Sequence, residues 1–266
     1  MRLMPFFREA GSGPGVVCLH SNASASAQWK MLMELLAPQF HVLAPDTLGA
    51  GKSPAWPADR AIVLDDEVEL LAPIFEMAGT PFHLVGHSYG AAIALRAALT
   101  LRPRIKTLCV YEPTFFSLLE EEAPGQPAGQ GIRRTAIDAA ALVEAGRPHA
   151  AAERFIDYWM GQGTWSGMPA ARQEVVAGSM ANIGGWAGAL WAEDTPLRAF
   201  RSLDLPVLYM TGGRSPDSSR GVARLLTGAL PNLSQVEFAD LGHMAPVTDP
   251  ERINDAILQF LMRHRE

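Results

Sequence analysis

Phe82-His83-Leu84-Val85-Gly86-His87-Ser88-Tyr89-Gly90-Ala91-Ala92-Ile93-Ala94-Leu95 holds the signal from which the rest of the chain can be ordered. The run from Phe82 to His87 is nearly all apolar, as a strand buried on both faces would be. Beyond it the spacing changes. Ala91, Ala92, Leu95, Ala98 and Leu99 recur at helical intervals, and Pro103 stops the run. Between strand and helix stands Gly86-x-Ser88-x-Gly90, the G-x-S-x-G pattern in its strand–turn–helix setting. A residue on so sharp a turn crowds the positions two before and two after it, and glycine at both removes the clash. The turn lifts the Ser88 hydroxyl above the sheet edge, where unpaired N–H groups of a helix N-terminus face any anion that forms. The plainer alternative is a small-residue turn with an idle serine.

Outward from this unit, GVVCLH (15–20), HVLAPD (41–46), IKTLCVYE (105–112), LPVLYMTG (205–212) and SQVEFAD (234–240) read as further strands. Helical stripes lie between them: Trp29, Leu32, Met33 and Leu36; Leu64, Val68 and Leu71; and Ile253, Ile257, Phe260 and Leu261 after Pro250. Asp65, Asp66 and Glu67 sit near the start of the second, where the helix dipole favours acids. Alternating strand and helix predicts an α/β fold, a mostly parallel sheet with helices on both faces. Residues 114–200 break the rhythm. They hold no convincing strand, a Gly/Pro/Gln-rich loop, and Trp159, Trp165, Trp186 and Trp191 among helical patterns. We read 1–113 and 201–266 as the core and 114–200 as a helical cap over the sheet's carboxyl edge.

Composition narrows the classes. The 266 residues are 48% apolar and 19% charged, which excludes disorder over most of the length. No apolar run approaches the ~18 residues of a membrane span, and the opening MRLMPFFREAGSG has no long apolar stretch, so neither insertion nor a secretory signal is expected. A net charge of −6 argues against nucleic acid; the partner expected is a small-molecule substrate. Cys18 and Cys109 lie inside apolar runs and read as buried free thiols of a reducing, cytoplasmic protein. The oligomeric state is not written in the sequence.

A serine nucleophile needs a base. Of the seven histidines, His243 in Leu241-Gly242-His243-Met244-Ala245-Pro246 follows the last strand, on the same edge as Ser88. Serine first and histidine last is the chain order of this architecture. His83 and His87 are four apart, but on a strand that places them about 13 Å from each other, so no metal is expected there. Gly49-Ala50-Gly51-Lys52-Ser53 mimics the end of a phosphate loop, yet its first glycine would fall on Asp46, read instead as a structural turn residue. No cofactor is expected.

With GHSYG, LGHMAP, LHSNAS and PDTLGAGKS in place, the chain resembles the α/β-hydrolase fold family over nearly its whole length. The resemblance implies a serine hydrolase with an oxyanion hole formed by the backbone N–H groups of Tyr89 and Asn22. Members usually carry His-Gly where this chain has His20-Ser21, a departure that bears on the loop's geometry. Asn22, Ser24 and Ser26 either place side-chain donors near the site or begin the next helix as caps. Two acids compete. Relatives often carry theirs after the strand LPVLYMTG, but the expected position from Gly212 is Ser215, leaving Asp217 two residues on. Glu112 closes the strand IKTLCVYE, where haloalkane dehalogenases also place their acid, and a carboxylate buried there would need a partner such as histidine. Glu112 is the leading candidate and Asp217 the alternative. Ser21, Trp159, Met160, Trp186 and Met244 are read as substrate contacts. The expected activity is hydrolysis of a carboxylic ester with an apolar acyl or aryl group. C–C bond hydrolysis, perhydrolysis, acyl transfer and slow-turnover ligand reception remain open alternatives on the same residues.

Overall fold

Each apolar run alternates between two cores, which is why it is apolar throughout. Val17, Leu84, Leu108 and Val110 point to one side of the sheet; Val16, Cys18, Val85 and Cys109 point to the other. The computed structural model describes residues 3–56 and 60–265. Among these, seven strands form one sheet: β1 (Phe7–Ala10), β2 (Gly15–Leu19), β3 (His41–Pro45), β4 (Phe82–His87), β5 (Ile105–Tyr111), β6 (Val207–Gly212) and β7 (Leu233–Phe238). Their order is β1-β3-β2-β4-β5-β6-β7, with β1 antiparallel to β3 and every other pairing parallel. The six expected strands are present within two residues of their reading. β1 was not expected. Arg8 and Glu9 are exposed on this edge strand, so it carries no apolar run to mark it.

Twelve helices accompany the sheet in the described residues: α1 (Lys30–Leu36), α2 (Leu64–Met77), α3 (Tyr89–Leu101), α4 (Ser117–Glu122), α5 (Pro127–Glu144), α6 (Pro148–Met160), α7 (Ala170–Ser179), α8 (Ile183–Trp191), α9 (Leu197–Phe200), α10 (Asp217–Ala229), α11 (Ala245–Thr248) and α12 (Pro250–Arg263). The apolar stripes of α1 and α12 cover one face, and those of α2 and α3 the other. Fully burying each such side chain is worth about 1.5–3 kcal/mol. Cys18 and Cys109 are buried free thiols, both pushed up from their ordinary pKa by burial. The helices α5–α8 form the cap insertion between β5 and β6.

This topology decides where a ligand can sit. From β2 the chain moves to β3 on one side, then returns to lay down β4 on the other. In open parallel sheets the crevice at such a reversal, beyond the carboxyl ends of the strands, is the binding position. The residues following β2 and β4 there are the 20–22 segment and Ser88.

Candidate active site

Ser88 has φ 56° and ψ −115° and immediately precedes α3. Its backbone is held on both sides: its N–H donates to Tyr111 O at 3.0 Å, and its carbonyl accepts the N–H groups of Ala91 and Ala92. The crowding inferred from sequence is real. A Cβ on Gly86 would come within 2.6 Å of Ala91 Cα, and one on Gly90 would strike the carbonyl oxygens of Leu19 and His20. Among the described residues, three non-glycines have positive φ: Ala23, Ser88 and Glu112. All three follow parallel strands at this edge, and strained backbone of this kind gathers at functional sites.

His243 Nε2 lies 2.9 Å from Ser88 Oγ, and His243 Nδ1 lies 2.7 Å from Glu112 Oε2. The second Glu112 oxygen accepts the Gly212 N–H at 2.7 Å. Both side chains are withdrawn from solvent, at 2% and 0% exposure. A carboxylate so buried is tolerable only because each oxygen has a donor. The Glu112 contact fixes the proton on Nδ1 and leaves Nε2 free to accept from the serine. Asp217 is elsewhere. It opens α10, pairs with Arg220 in solvent, and faces a separate cavity with Leu119 and Arg224. Ser219 Oγ, unremarked in sequence, sits 3.3 Å from His243 Nδ1.

The His243 loop is pinned by residues whose partnership no local pattern announces. Tyr111 Oη donates to Gly242 O at 2.8 Å, and His87 Nε2 donates to His243 O at 2.8 Å. His87 Nδ1 accepts from Gln28 Nε2, whose Oε1 accepts both the N–H and the hydroxyl of Ser21. Burial holds His87 well below the ordinary histidine pKa, with nearby His243 adding to the effect, so it stays neutral and keeps this pattern. Ser21 is therefore a brace for the loop after β2, and it lines neither cavity described below.

His20 plays a matching part. Its Nδ1 donates to Ser21 O, and its Nε2 accepts the Thr47 N–H. Burial lowers its pKa. Neither Ser24 nor Ser26 caps the next helix: a carboxylate oxygen of Asp46 accepts the Ser26 N–H at 2.6 Å, and the other accepts that of Lys52 at 2.9 Å. Asp46 is thus the structural turn residue anticipated. Among the described residues, the backbone N–H groups of Asn22 and Tyr89 have no hydrogen-bond acceptor.

Two cavities share one wall. The inner one, about 30 Å³, lies beside Ser88 and Asn22 and is lined mainly by Phe116, Ile132, Phe155, Trp159, Trp186 and Leu190. The outer one, about 420 Å³, reaches His243 and carries Met160, Met244, Arg214 and Asp240. Trp159, from the end of α6, lines both, and its ring stacks on the His243 imidazole at 4.0 Å and 25°. Of the expected substrate contacts, Trp159 and Trp186 line the inner cavity, while Met160 and Met244 line the outer.

Glu67 departs from the expectation for its neighbours. Asp66 does cap α2 through the Val63 N–H, and Asp65 pairs with Arg96, but Glu67 turns inward. Its oxygens accept from Tyr89 Oη and from the Leu48 N–H, both at 3.0 Å. Burial pushes its carboxyl up to about 8. The folded chain thus keeps a proton that the unfolded chain releases above the ordinary carboxylate pKa. Stability is expected to fall as pH rises from about 5 to about 8, by on the order of a few kcal/mol from this group. Denaturation midpoints should show that slope diminished in Glu67→Gln; equal slopes would remove Glu67 as its source.

Among the described residues, no group of three or more His, Cys, Asp or Glu side chains is placed to hold a metal ion, and no helix is long and apolar enough to cross a membrane.

Comparison with known proteins identifies the family. The chain is 30% identical to a pimeloyl-[acyl-carrier protein] methyl ester esterase of Chromobacterium violaceum over 254 residues, 93% of each protein. The crystal structure of an alpha/beta hydrolase from Sphaerobacter thermophilus superposes with a TM-score of 0.69 at 27% identity, covering 93% of this chain and 94% of that one. The enol-lactonase from Burkholderia xenovorans shares the fold, with a TM-score of 0.74 at 18% identity over 97% and 96% of the two chains. The sequence pattern of the Alpha/beta hydrolase family matches residues 16–256, a span that includes Ser88, Glu112 and His243. The chain belongs to the alpha/beta hydrolase family.

Proposed function

We propose that the protein is a serine hydrolase that cleaves a carboxylic ester of a small acyl group through an acyl-enzyme. The observation that carries this is the relay Glu112 Oε2–His243 Nδ1–His243 Nε2–Ser88 Oγ, with hydrogen bonds of 2.7 and 2.9 Å ending at a strained turn. Ser88 Oγ bonds to the ester carbonyl carbon as its proton passes to His243 Nε2. The carbonyl oxygen becomes an anion held by the N–H groups of Tyr89 and Asn22; each such donor is worth ~10²–10³ in turnover. Glu112 stabilises the imidazolium without taking its proton. His243 then protonates the alcohol oxygen as the C–O bond breaks. Water repeats the sequence: its proton goes to His243, its oxygen bonds to the acyl carbon, and Ser88 Oγ leaves with the proton returned.

The alcohol oxygen must meet His243 Nε2, so the leaving group belongs on the His243 side, toward the outer cavity. The acyl group belongs beside Ser88 and Asn22, in the inner one. That room is small and walled almost entirely by aliphatic and aromatic side chains, which favours a short chain and places larger aryl groups beyond it. The relative named as a methyl ester esterase supports ester hydrolysis among the reactions these residues could perform. Two buried thiols fit a reducing, cytoplasmic setting.

Nitrophenyl acetate tests the reading. A burst of about one equivalent of nitrophenol, followed by steady release, is the expected trace. A chain that binds esters of every length and releases nitrophenol from none is a receptor, and the hydrolase reading fails.

A further inference from the structure

Nine buried side-chain polar atoms in the described residues have no hydrogen-bond partner, and three of them belong to residues lining the cavity beside Ser88: Asn22 Oδ1, Thr114 Oγ1 and Trp186 Nε1. Thr114 and Trp186 are each only 2% exposed. Buried orphans are uncommon in folded proteins because each forfeits its hydration without return. The other six belong to residues that do not line this cavity. Its remaining walls are almost entirely aliphatic or aromatic, so the protein itself offers these three nothing to bond. No Lys or Arg lines the cavity, which disfavours an anionic group there.

Building on the ester-hydrolase reading, we propose that the acyl group taken up beside Ser88 is a short chain bearing a hydroxyl, and that Trp186 and Thr114 select it. The chemistry of the orphans points to this function. An indole N–H only donates, an amide oxygen only accepts, and the Thr114 hydroxyl does both. A hydroxyl on the acyl chain both donates and accepts, whereas an ether or ketone oxygen only accepts and an alkyl chain does neither. A site built to pair such a group discriminates strongly against the analogue lacking it, because its own polar atoms are then left unpaired. The apolar remainder of the wall limits the chain around that one function.

The test compares matched phenyl esters: 2-hydroxypropanoate against propanoate, and 3-hydroxybutanoate against butanoate. Each kcat/KM is divided by the rate constant of the same ester with hydroxide, which removes intrinsic reactivity. In the wild type the hydroxy ester is expected to lead by about tenfold or more in at least one pair. Trp186→Phe deletes the N–H and keeps a ring; Thr114→Val deletes the hydroxyl and keeps the shape. Each is expected to cut the leading ratio at least about fivefold. Thr114→Val, which keeps the volume, should leave the melting temperature equal or higher because an unpaired buried polar group is removed. Trp186→Phe also opens space in the core and is read by the ratio alone. A residue that serves packing alone would lower the melting temperature and leave the ratio where it was. Should Trp186→Phe not fold, Thr114→Val decides by itself. Ratios of one or less in both pairs, with the plain esters turned over, overturn the inference and leave the serine mechanism standing. A wild-type preference untouched by either substitution overturns the assignment of these two residues. Absence of turnover on all four esters, with no nitrophenol burst, removes the mechanism and this inference together.

Discussion

Replacing Ser88 with alanine is expected to lower kcat on a short nitrophenyl ester by about 10⁵–10⁶-fold while the fold survives. In the proposed mechanism the substitution removes the atom that bonds to the substrate carbon. What remains is the pair of N–H groups at Tyr89 and Asn22 and a histidine able to draw a proton from water, which together leave a small residual rate. The structural cost is modest for three reasons. Alanine keeps the Cβ, so the backbone at φ 56° bears no new strain. The serine side chain makes no capping hydrogen bond to α3. Its hydroxyl gives up the 2.9 Å bond to His243 Nε2, worth about 1 kcal/mol. Steady-state rates and thermal melts on the same preparation separate the two effects. Turnover within tenfold of wild type would take the nucleophile's role from Ser88.

Glu112→Gln is expected to cost about 10⁴ in kcat, and Asp217→Asn no more than about twofold. Glu112 uses both oxygens, one toward the Gly212 N–H and one toward His243 Nδ1. Glutamine can satisfy only one of these as an acceptor. If its carbonyl stays with Gly212, its NH₂ faces Nδ1 and drives the proton to Nε2, where the imidazole can no longer accept from Ser88. If the amide turns round, the Gly212 N–H loses its acceptor, and the imidazolium is left without a counter-charge in either case. Asp217 pairs with Arg220 in solvent, and such pairs contribute roughly 0–1 kcal/mol. Rates of the two variants, with melts to exclude unfolding, rank the acids. A larger loss from Asp217→Asn would reassign them.

The parts of the site legible in sequence are those whose physics is local. Gly86 and Gly90 are required by contacts within one turn or to the adjoining strand, so the pattern around Ser88 carries its own explanation. Glu112 was readable because an acid closing an apolar strand has to be paired. Parallel strands deliver their carboxyl ends to one edge, which brought His243 to Ser88 across 155 residues without further information. Other features needed three dimensions. Gln28 reaches His87 across 59 residues, and neither lies in a pattern that names the other. The stack of Trp159 on His243 depends on how the cap docks, which the spacing of aromatic residues in α6 does not encode. Asp217 attracted notice through its distance from Gly212, but the direction of the first turn of α10 takes it away. Glu67 is the instructive miss, because the signal was present. It falls three residues after Leu64 and four before Leu71, on the buried stripe of α2, while Asp65 and Asp66 fall off it. The helix period distinguished the inward acid, and the dipole reading overlooked it.

The most direct measurement is the position of the acetyl group during the burst on nitrophenyl acetate. Protein quenched in acid at that moment, digested and weighed by mass spectrometry, should carry one acetyl on the peptide containing Ser88, and Ser88→Ala should carry none there. Acetyl found on another residue, or an adduct that persists on that peptide in Ser88→Ala, would contradict the assignment of Ser88 as the nucleophile.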